Sequence, residues 1–298
     1  MKKSAADKCF GVFVGIFVAF IALTALYPLY FILIASFSEP YAVASGKVFL
    51  IPQGFTLEAY KYMLRNSSIC RGYFNSIYVT FFGTLYNLIL CIPAAYSLSK
   101  KNLFAKKVVT WFFLIIMYFS GGIIPGYLLV KSLKLLNKPY TMIILNGISV
   151  YNLIVARTFF QESIPEEIYE SARIDGSGEL GVFFKIALPL SAPIIAVMAL
   201  FFGVARWNDY FTAMIHLTSS KYFTLQLVLR NILITATEAL LDTSSMTPEE
   251  FEAAKYNAYM AEAMKYALIM ISSAPLLIAY PFVQKYFVKG VMIGAVKG

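Results

Sequence analysis

Apolar residues in this chain come in long unbroken runs, not in the short periods of water-facing helices and strands. Six runs contain no Asp, Glu, Lys or Arg: Cys9 to Ser38, Gly72 to Ser99, Val108 to Val130, Pro139 to Ala156, Ile186 to Ala205, and Tyr266 to Gln284. A helix needs about 20 residues to cross roughly 30 Å of hydrocarbon. The runs therefore predict an all-α polytopic membrane protein with six transmembrane helices, the fourth and sixth drawing on their flanks. Lys2, Lys3 and Lys8 precede the first run as they would in a secretory signal. That run, however, is far longer than a signal core of about 7 to 15 residues and no small-residue cleavage site directly follows it, so it is expected to be a retained helix. Pro28, Pro93, Pro125, Pro193, Pro275 and Pro281 fall within runs and read as kinks, which a helix bundle tolerates.

The connections are uneven. Lys100, Lys101, Lys106 and Lys107 crowd the loop after the second run and, with the amino-terminal lysines, place both termini inside. On that orientation Arg157 to Lys185 is a long inner connection, and the span from about residue 207 to 265 is a long outer loop. A further outer segment, Glu39 to Arg71, is expected to hold a short surface helix near Leu57 to Leu64.

Composition agrees with a bilayer and narrows the chemistry. The chain is 59% hydrophobic and 14% charged, where soluble domains carry about 25% charged residues. Its net charge of +9 comes from lysines flanking apolar segments, the pattern of membrane flanks and not of a nucleic-acid surface. Cys9, Cys70 and Cys91 lie far apart with no metal-ligand spacing, so neither a disulfide framework nor a metal site follows. The lone His216 has no H-E-x-x-H or G-x-S-x-G around it, and no enzyme is indicated. The six runs hold no carboxylate of the kind that ion-coupled secondary transporters place at mid-membrane. Arg206 and Asp209, at one end of the fifth run, read as an interfacial cap more readily than as a functional pair.

The inner connection carries the most specific pattern. From Ser163 it reads S-I-P-E-E-I-Y-E-S-A-R-I-D-G-S-G-E-L-G-V-F-F-K-I-A-L-P. Ser163 with Glu166 has the form of a capping box, and Glu166, Glu167 and Glu170 suit the positive end of a helix dipole. A helix is thus expected to start at Ser163, with Ile164, Ile168 and Ala172 on one face. Gly176 ends it in a left-handed conformation. Three glutamates argue against an anionic lipid surface and for a protein partner.

The run Glu170-Ser171-Ala172, Asp175-Gly176, Phe183, Ile186, Leu188-Pro189 resembles the EAA motif of bacterial ABC-importer permeases, with Ser171 in place of a second alanine. Tyr118 to Pro125, Tyr127 to Val130, Leu133 to Pro139 and Trp207-Asn208-Asp209 resemble the carbohydrate-uptake branch, as does the ending from Gln284 to Gly290 and Gly294 to Gly298. Within it the chain is most similar to maltose-permease G-type subunits serving oligosaccharides from complex polysaccharides.

The resemblance implies a type I ABC importer permease fold, one domain over residues 1–298, in a bacterial cytoplasmic membrane. It implies that residues 163–189 form a coupling element in which Glu167, Glu170, Ser171, Ala172, Asp175, Gly176, Leu188 and Pro189 meet an ATPase subunit, and that Ile164, Ile168 and Ala172 fill a groove there. A tail contact with the ATPase is expected from Lys289, Gly294 and Lys297, in a mobile cationic strand. Asp242, Glu249, Glu250 and Glu252, where T-P-E-E begins a plausible short helix, are candidates for contact with an external solute-binding protein. Trp207, Asn208 and Asp209 are candidates for the translocation path. The expected partners are a homologous second permease forming a heterodimer, two nucleotide-binding ATPase subunits, the solute-binding protein, an oligosaccharide and lipid. The chain has no G-x-x-x-x-G-K-[S/T] loop, so it is expected to bind no cofactor, with ATP and Mg held by the partners. A permease for another solute class and an ion-coupled sugar transporter are the alternative readings.

Overall fold

The computed structural model describes residues 5–238 and 247–295. Asp242 and Lys297 therefore lie outside the described residues. The described chain is all-helical: α1 (Ala5–Ser36), α2 (Pro40–Ala44), α3 (Glu58–Arg65), α4 (Ser67–Ser99), α5 (Lys106–Tyr118), α6 (Ile123–Ser132), α7 (Thr141–Ile144), α8 (Val150–Glu162), α9 (Glu166–Ile174), α10 (Glu179–Val182), α11 (Leu188–Leu190), α12 (Ala192–Asn208), α13 (Phe211–His216), α14 (Leu225–Glu238) and α15 (Pro248–Ala295).

Among the described residues, Phe10–Ser36 within α1 and the whole of α4 are long and apolar enough to cross a membrane as single helices. Two further stretches qualify only as bent pairs. α5 and α6 meet at 114°, and the segment Glu179–Leu190 meets α12 at 77°. The first bend falls at Gly122, whose φ of 87° is open to glycine and costly for other residues, so Pro125 is not its cause. The second falls at Ser191, directly before the Pro193-containing first turn of α12.

The fourth apolar run is not one helix. It is divided into α7 and α8 by Leu145 to Ser149, with Asn146 at φ 57°. The sixth lies inside α15, a single helix of 48 residues. Thr247 and Glu250 start that helix with a reciprocal capping box: the Glu250 carboxylate accepts from the Thr247 N–H at 2.8 Å and from its hydroxyl at 2.9 Å. Those donors hold the Glu250 carboxyl below its ordinary range. The T-P-E-E segment thus begins a long helix, not a short one. Its far end takes in Lys289 and Gly294 in helical conformation, where a mobile cationic strand was expected.

The chain divides into two compact units, residues 1–70 with 229–275, and residues 71–228 with 276–298. In the first, Ile34, Ala35, Ala42, Val43 and Val48 form a small core. Aromatic edges extend it: Phe31 packs against Tyr266 at 5.5 Å and Tyr41 against Tyr259 at 5.6 Å. The Tyr256 hydroxyl donates to Glu58 at 2.6 Å, holding the surface helix α3 in place. From Phe10 to Tyr30 α1 is exposed all round, with Phe10, Phe13, Phe17 and Phe20 outward. A helix apolar on every face suits lipid or a neighbouring membrane helix.

The second unit contains the larger core, drawn from α4, α8, α9 and α12. At one end of it the break between α7 and α8 leaves backbone carbonyls without helical partners. Arg206 of α12, only 5% exposed, fills that need. Its Nη1 donates to the Met142 carbonyl at 2.5 Å, its Nη2 to Ile143 and Asn146 at 3.2 and 3.1 Å, and its Nε to Asn87 Oδ1 at 3.0 Å. The Asn87 amide in turn donates to the carbonyls of Asn146 and Gly147 at 2.8 and 2.6 Å. Gly83 makes room for the guanidinium, since a Cβ there would lie 3.1 Å from Arg206 Nε. Arg206 is therefore an internal staple for a broken helix, not an interfacial cap paired with Asp209.

Replacing Asn87 by Leu takes the partner from Arg206 Nε and from the Gly147 carbonyl, each buried unsatisfied group costing about 1–3 kcal/mol. The Asn87→Leu chain is expected to unfold at distinctly lower denaturant than the wild type in detergent, with Gly83→Ala showing a smaller loss; equal midpoints would rule out the staple.

Candidate functional site

The segment from Glu166 to Leu190 is built to present one face outward and anchor the other. α9 starts at Glu166, three residues later than the capping-box pattern suggests. Ser163 is occupied elsewhere: its N–H bonds the Phe159 carbonyl and it ends α8. α9 closes in a Schellman arrangement, with Ser177 N–H to Ala172 O and Gly176 N–H to Arg173 O, both at 3.0 Å. Gly176 has φ 82°, the left-handed conformation expected of it. Arg173 then ties the following loop back, its Nε donating to Glu179 at 3.0 Å and its Nη1 lying 3.8 Å from Glu166. These pairs are largely exposed and worth little in stability, but they fix the direction in which the chain leaves the helix.

Burial divides the helix differently from the apolar stripe. Ile164, Tyr169 and Ala172 are buried in this chain's own core, together with Val182, Phe183 and Ala187 from the next elements. Ala172, at 6% exposure, therefore does not offer its side chain to a partner's groove. Its small size is required by packing inside the permease. Ile168 is exposed, and the most outward apolar group is Ile174, at 85% exposure. Glu167, Glu170, Ser171, Asp175 and Gly176 share that exposed surface. Pro189 is exposed and Leu188 half-buried, in the short α11 that follows a π-helical turn over Phe183–Ala187. Leu180 and Phe184 also point outward. The outcome is an acidic surface around apolar side chains, of which Ile174, Leu180 and Phe184 fall outside the Ile164 stripe. An isolated isoleucine on a helix's polar side, next to the terminating Asp-Gly, is the signal that marks Ile174 in the sequence.

The inner side of α9 is locked to the end of α4 by a cationic cage. Lys100 places its ammonium 3.3 Å from the centroid of the Tyr169 ring and 4.4 Å from that of Tyr96. Its Nζ is buried with no hydrogen-bond partner, so the ring faces supply its stabilisation. Burial, with Arg173 nearby, lowers the Lys100 pKa from its usual value. Burial raises the Tyr169 phenol to about 12, so it stays neutral. Lys106 and Gln161 reach the last carbonyls of α4, donating to Ser99 O at 3.3 Å each, and Lys106 also to Lys100 O at 2.9 Å.

The other candidates separate. Trp207 is buried with its ring edge-on to Tyr73 at 5.7 Å. Asn208 is exposed and donates to the Val204 carbonyl at 3.0 Å. Asp209 lines a cleft with Asn146, Ser149 and Asn152, and one of its carboxylate oxygens accepts from the Thr212 N–H at 3.0 Å. His216 bonds the Thr212 carbonyl through Nδ1 at 2.9 Å and stacks beside Tyr127. Among the acids near the start of α15, Glu249 is exposed, Glu250 is held in its capping box, and Glu252 pairs with Lys255 at 3.5 Å.

These placements make Ala172 and Ile174 separable. Ala172→Trp overpacks the permease's own core and is expected to destabilise the isolated chain by about 1–3 kcal/mol, whereas Ile174→Glu is expected to stay within about 0.5 kcal/mol of wild type. Thermal unfolding of the detergent-solubilised chain, without any ATPase present, decides it; the reverse order would mean that α9 faces the other way.

Residues 67–293 match the family model described as binding-protein-dependent transport system inner membrane component. The chain is similar to Protein LplC of Bacillus subtilis (strain 168), at 38% identity over 100% of this chain and 98% of that protein. It is also similar to the polygalacturonan/rhamnogalacturonan transport system permease protein YtcP of the same organism, at 37% identity over 98% of this chain and 99% of that one. Among solved structures it resembles a chain of a bacterial ABC transporter involved in the import of the acidic polysaccharide alginate, with a TM-score of 0.84 and 33% identity over 96% of this chain and 99% of that chain. With an all-helical fold and an EAA-like segment placed as described, this chain belongs to the inner-membrane permease family of binding-protein-dependent ABC importers.

Proposed function

We propose that this chain is one of two homologous permease halves of an importer for uronate-containing oligosaccharides. It crosses the bacterial cytoplasmic membrane six times with both termini inside, and receives its sugar from an external solute-binding protein. The single observation that carries the coupling part is the outward face of α9: Ile174 almost fully exposed within a ring of Glu167, Glu170 and Asp175. An apolar knob surrounded by acids suits a groove with a basic rim on a separate ATPase subunit, which holds ATP and Mg. The buried face, locked to α4 by Lys100, Tyr96 and Tyr169, then carries ATPase closure into the membrane helices and shifts the population between inward- and outward-open states.

The cargo reading is supported by two likenesses: one relative is named for polygalacturonan and rhamnogalacturonan, and the structural neighbour for alginate. All three are acidic polysaccharides. The exposed Glu249 and Glu252 near the start of α15 are available to the binding protein, while Glu250 contributes through the helix it starts. Lys289 and Gly294, on the last turns of α15, are proposed to approach the ATPase pair.

The assembled complex, purified with its ATPases and second permease, tests both parts. Ile174→Glu, Glu170→Lys and Gly176→Val, the last strained by about 1 kcal/mol or more at a left-handed position, are each expected to lower ATPase occupancy or uncouple hydrolysis from uptake in proteoliposomes. Full occupancy with wild-type coupled uptake in all three sinks the coupling assignment. Glycan-array binding by the cognate binding protein should select uronate-containing oligosaccharides; selection of neutral glycans, or of none, overturns the cargo reading.

A further inference from the structure

The staple at Arg206 leaves a feature beside it that packing does not require. A cleft of about 320 Å³ opens between α12 and the start of α8, lined by Asn146, Ser149, Asn152 and Asp209 over a floor of Asn87 and Arg206. Its volume is at the small end for ligand pockets, about 300–1,000 Å³, and suits one ring of a sugar chain. Asn152 is 8% exposed, yet its side-chain amide has no hydrogen-bond partner among the described residues; only its backbone N–H is engaged, by Ser149. The little surface it keeps lies on the cleft, where the amide is available to an entering ligand with polar groups. Asp209 adds a carboxylate with one oxygen bound to the Thr212 N–H and the other left to accept. A second cleft of about 230 Å³, which includes Tyr127 and His216 in its lining, shares Asn146 with the first.

We propose that this cleft is a sugar-contact site of the permease subunit itself, and that it reads ring hydroxyls and not carboxylate groups. The proposal rests on the oligosaccharide reading above and deepens it. The chemistry follows from who is already occupied. A guanidinium recognises a carboxylate by presenting two parallel N–H donors. Arg206 gives Nε and both Nη2 donors, with one from Nη1, to Asn87 and the Met142, Ile143 and Asn146 carbonyls, so a single N–H is left and no paired fork. The free acceptor at the cleft is the Asp209 carboxylate, which lines it together with the Arg206 guanidinium, so the two opposite charges offset each other, a uronate is neither drawn in nor expelled, and a hydroxyl is readily accepted. The Asn152 amide can both donate to and accept from hydroxyls. Uronate charge on the cargo is therefore read elsewhere, on the binding protein or the second permease, and this half supplies a charge-indifferent grip.

The test uses the complete transporter with trigalacturonate and its carboxyl-reduced neutral counterpart as a matched pair. In a background lacking the native cysteines, Ser149→Cys introduces a thiol at the cleft, and both trisaccharides at millimolar concentration are expected to slow its alkylation by a similar factor. Asp209→Asn and Asn152→Leu are each expected to lower kcat/KM for oligosaccharide uptake by about 10-fold, the effect of losing a hydrogen bond that involves a charged or otherwise unpaired buried group. Should Asn152→Leu not assemble, thiol protection still decides. Protection by the acidic sugar alone would overturn the hydroxyl reading, and no protection by either, with wild-type uptake in both variants, would overturn the site. If the wild-type complex takes up no oligosaccharide that its binding protein captures, the functional reading fails instead, and the cleft proposal with it.

Discussion

Backbone carbonyls cannot be left unpaired where no water reaches them, and the fourth apolar run breaks in the middle. Much of the larger unit follows from how that break is satisfied. A charged side chain in a membrane segment is expensive unless its donors are matched; Arg206 meets that condition because the frayed end of α7 offers a cluster of carbonyl acceptors and Asn87 offers one more. The guanidinium's fixed geometry holds α7, α12 and α4 together at a point where none of them can slide without breaking several hydrogen bonds at once. Because all but one of the guanidinium N–H donors are engaged in this way, the neighbouring cleft inherits polarity from Asn146, Ser149, Asn152 and Asp209 without inheriting a paired donor fork.

The second dependence runs through the core. α9 is not an appendage resting on the membrane helices: Tyr169 and Ala172 are part of the same buried cluster as Tyr96 and Leu98 of α4, Phe160 of α8 and Phe183 of the π-helical turn. Interiors are close-packed and transmit displacement instead of absorbing it. The Lys100 ammonium between two tyrosine rings adds an electrostatic tie at the point where α4 leaves its last turn. α9 is thereby packed against α4, α8 and α12 in one buried cluster.

Some of this was legible in the sequence. Uncharged runs located α1 and α4 because an uninterrupted apolar helix is what such a run can most easily form in lipid. The Asp-Gly pair located the end of α9, since few residues other than glycine take φ near 82° cheaply. Two features were misread for identifiable reasons. Ser163 and Glu166 have capping-box spacing, but Ser163 was already committed to the last turn of α8, and spacing alone does not tell which helix owns a residue. The stripe Ile164–Ile168–Ala172 was assigned to a partner because an apolar stripe on a loop helix looks unpaired in one dimension; the chain's own core covers Ile164 and Ala172. The Arg206 staple was not legible at all, because its acceptors, Asn87, Met142, Ile143 and Asn146, are 60 to 119 residues away. Nothing local marks a carbonyl that will be orphaned.

These two dependences meet along the same helices. On α4, Asn87 stands one turn from Cys91, which begins the cluster that continues through Ala95 to Leu98 below the cage. On α8, Asn152 is followed one turn later by Ala156 and then by Phe160, both in that cluster. On α12, Arg206 is preceded one turn earlier by Phe202, and that by Met198. A continuous buried column thus joins the outward face of α9 to the floor and wall of the cleft, and every helix that lines the cleft also touches the core under α9. A permease needs that connection if nucleotide-driven movement at one end is to change what a sugar meets at the other, and the column supplies it with packed side chains instead of a flexible linker. A column of this kind has few ways to yield internally. The helix that enters it through α12 bends by 77° at Ser191, directly before the stretch that packs into the column.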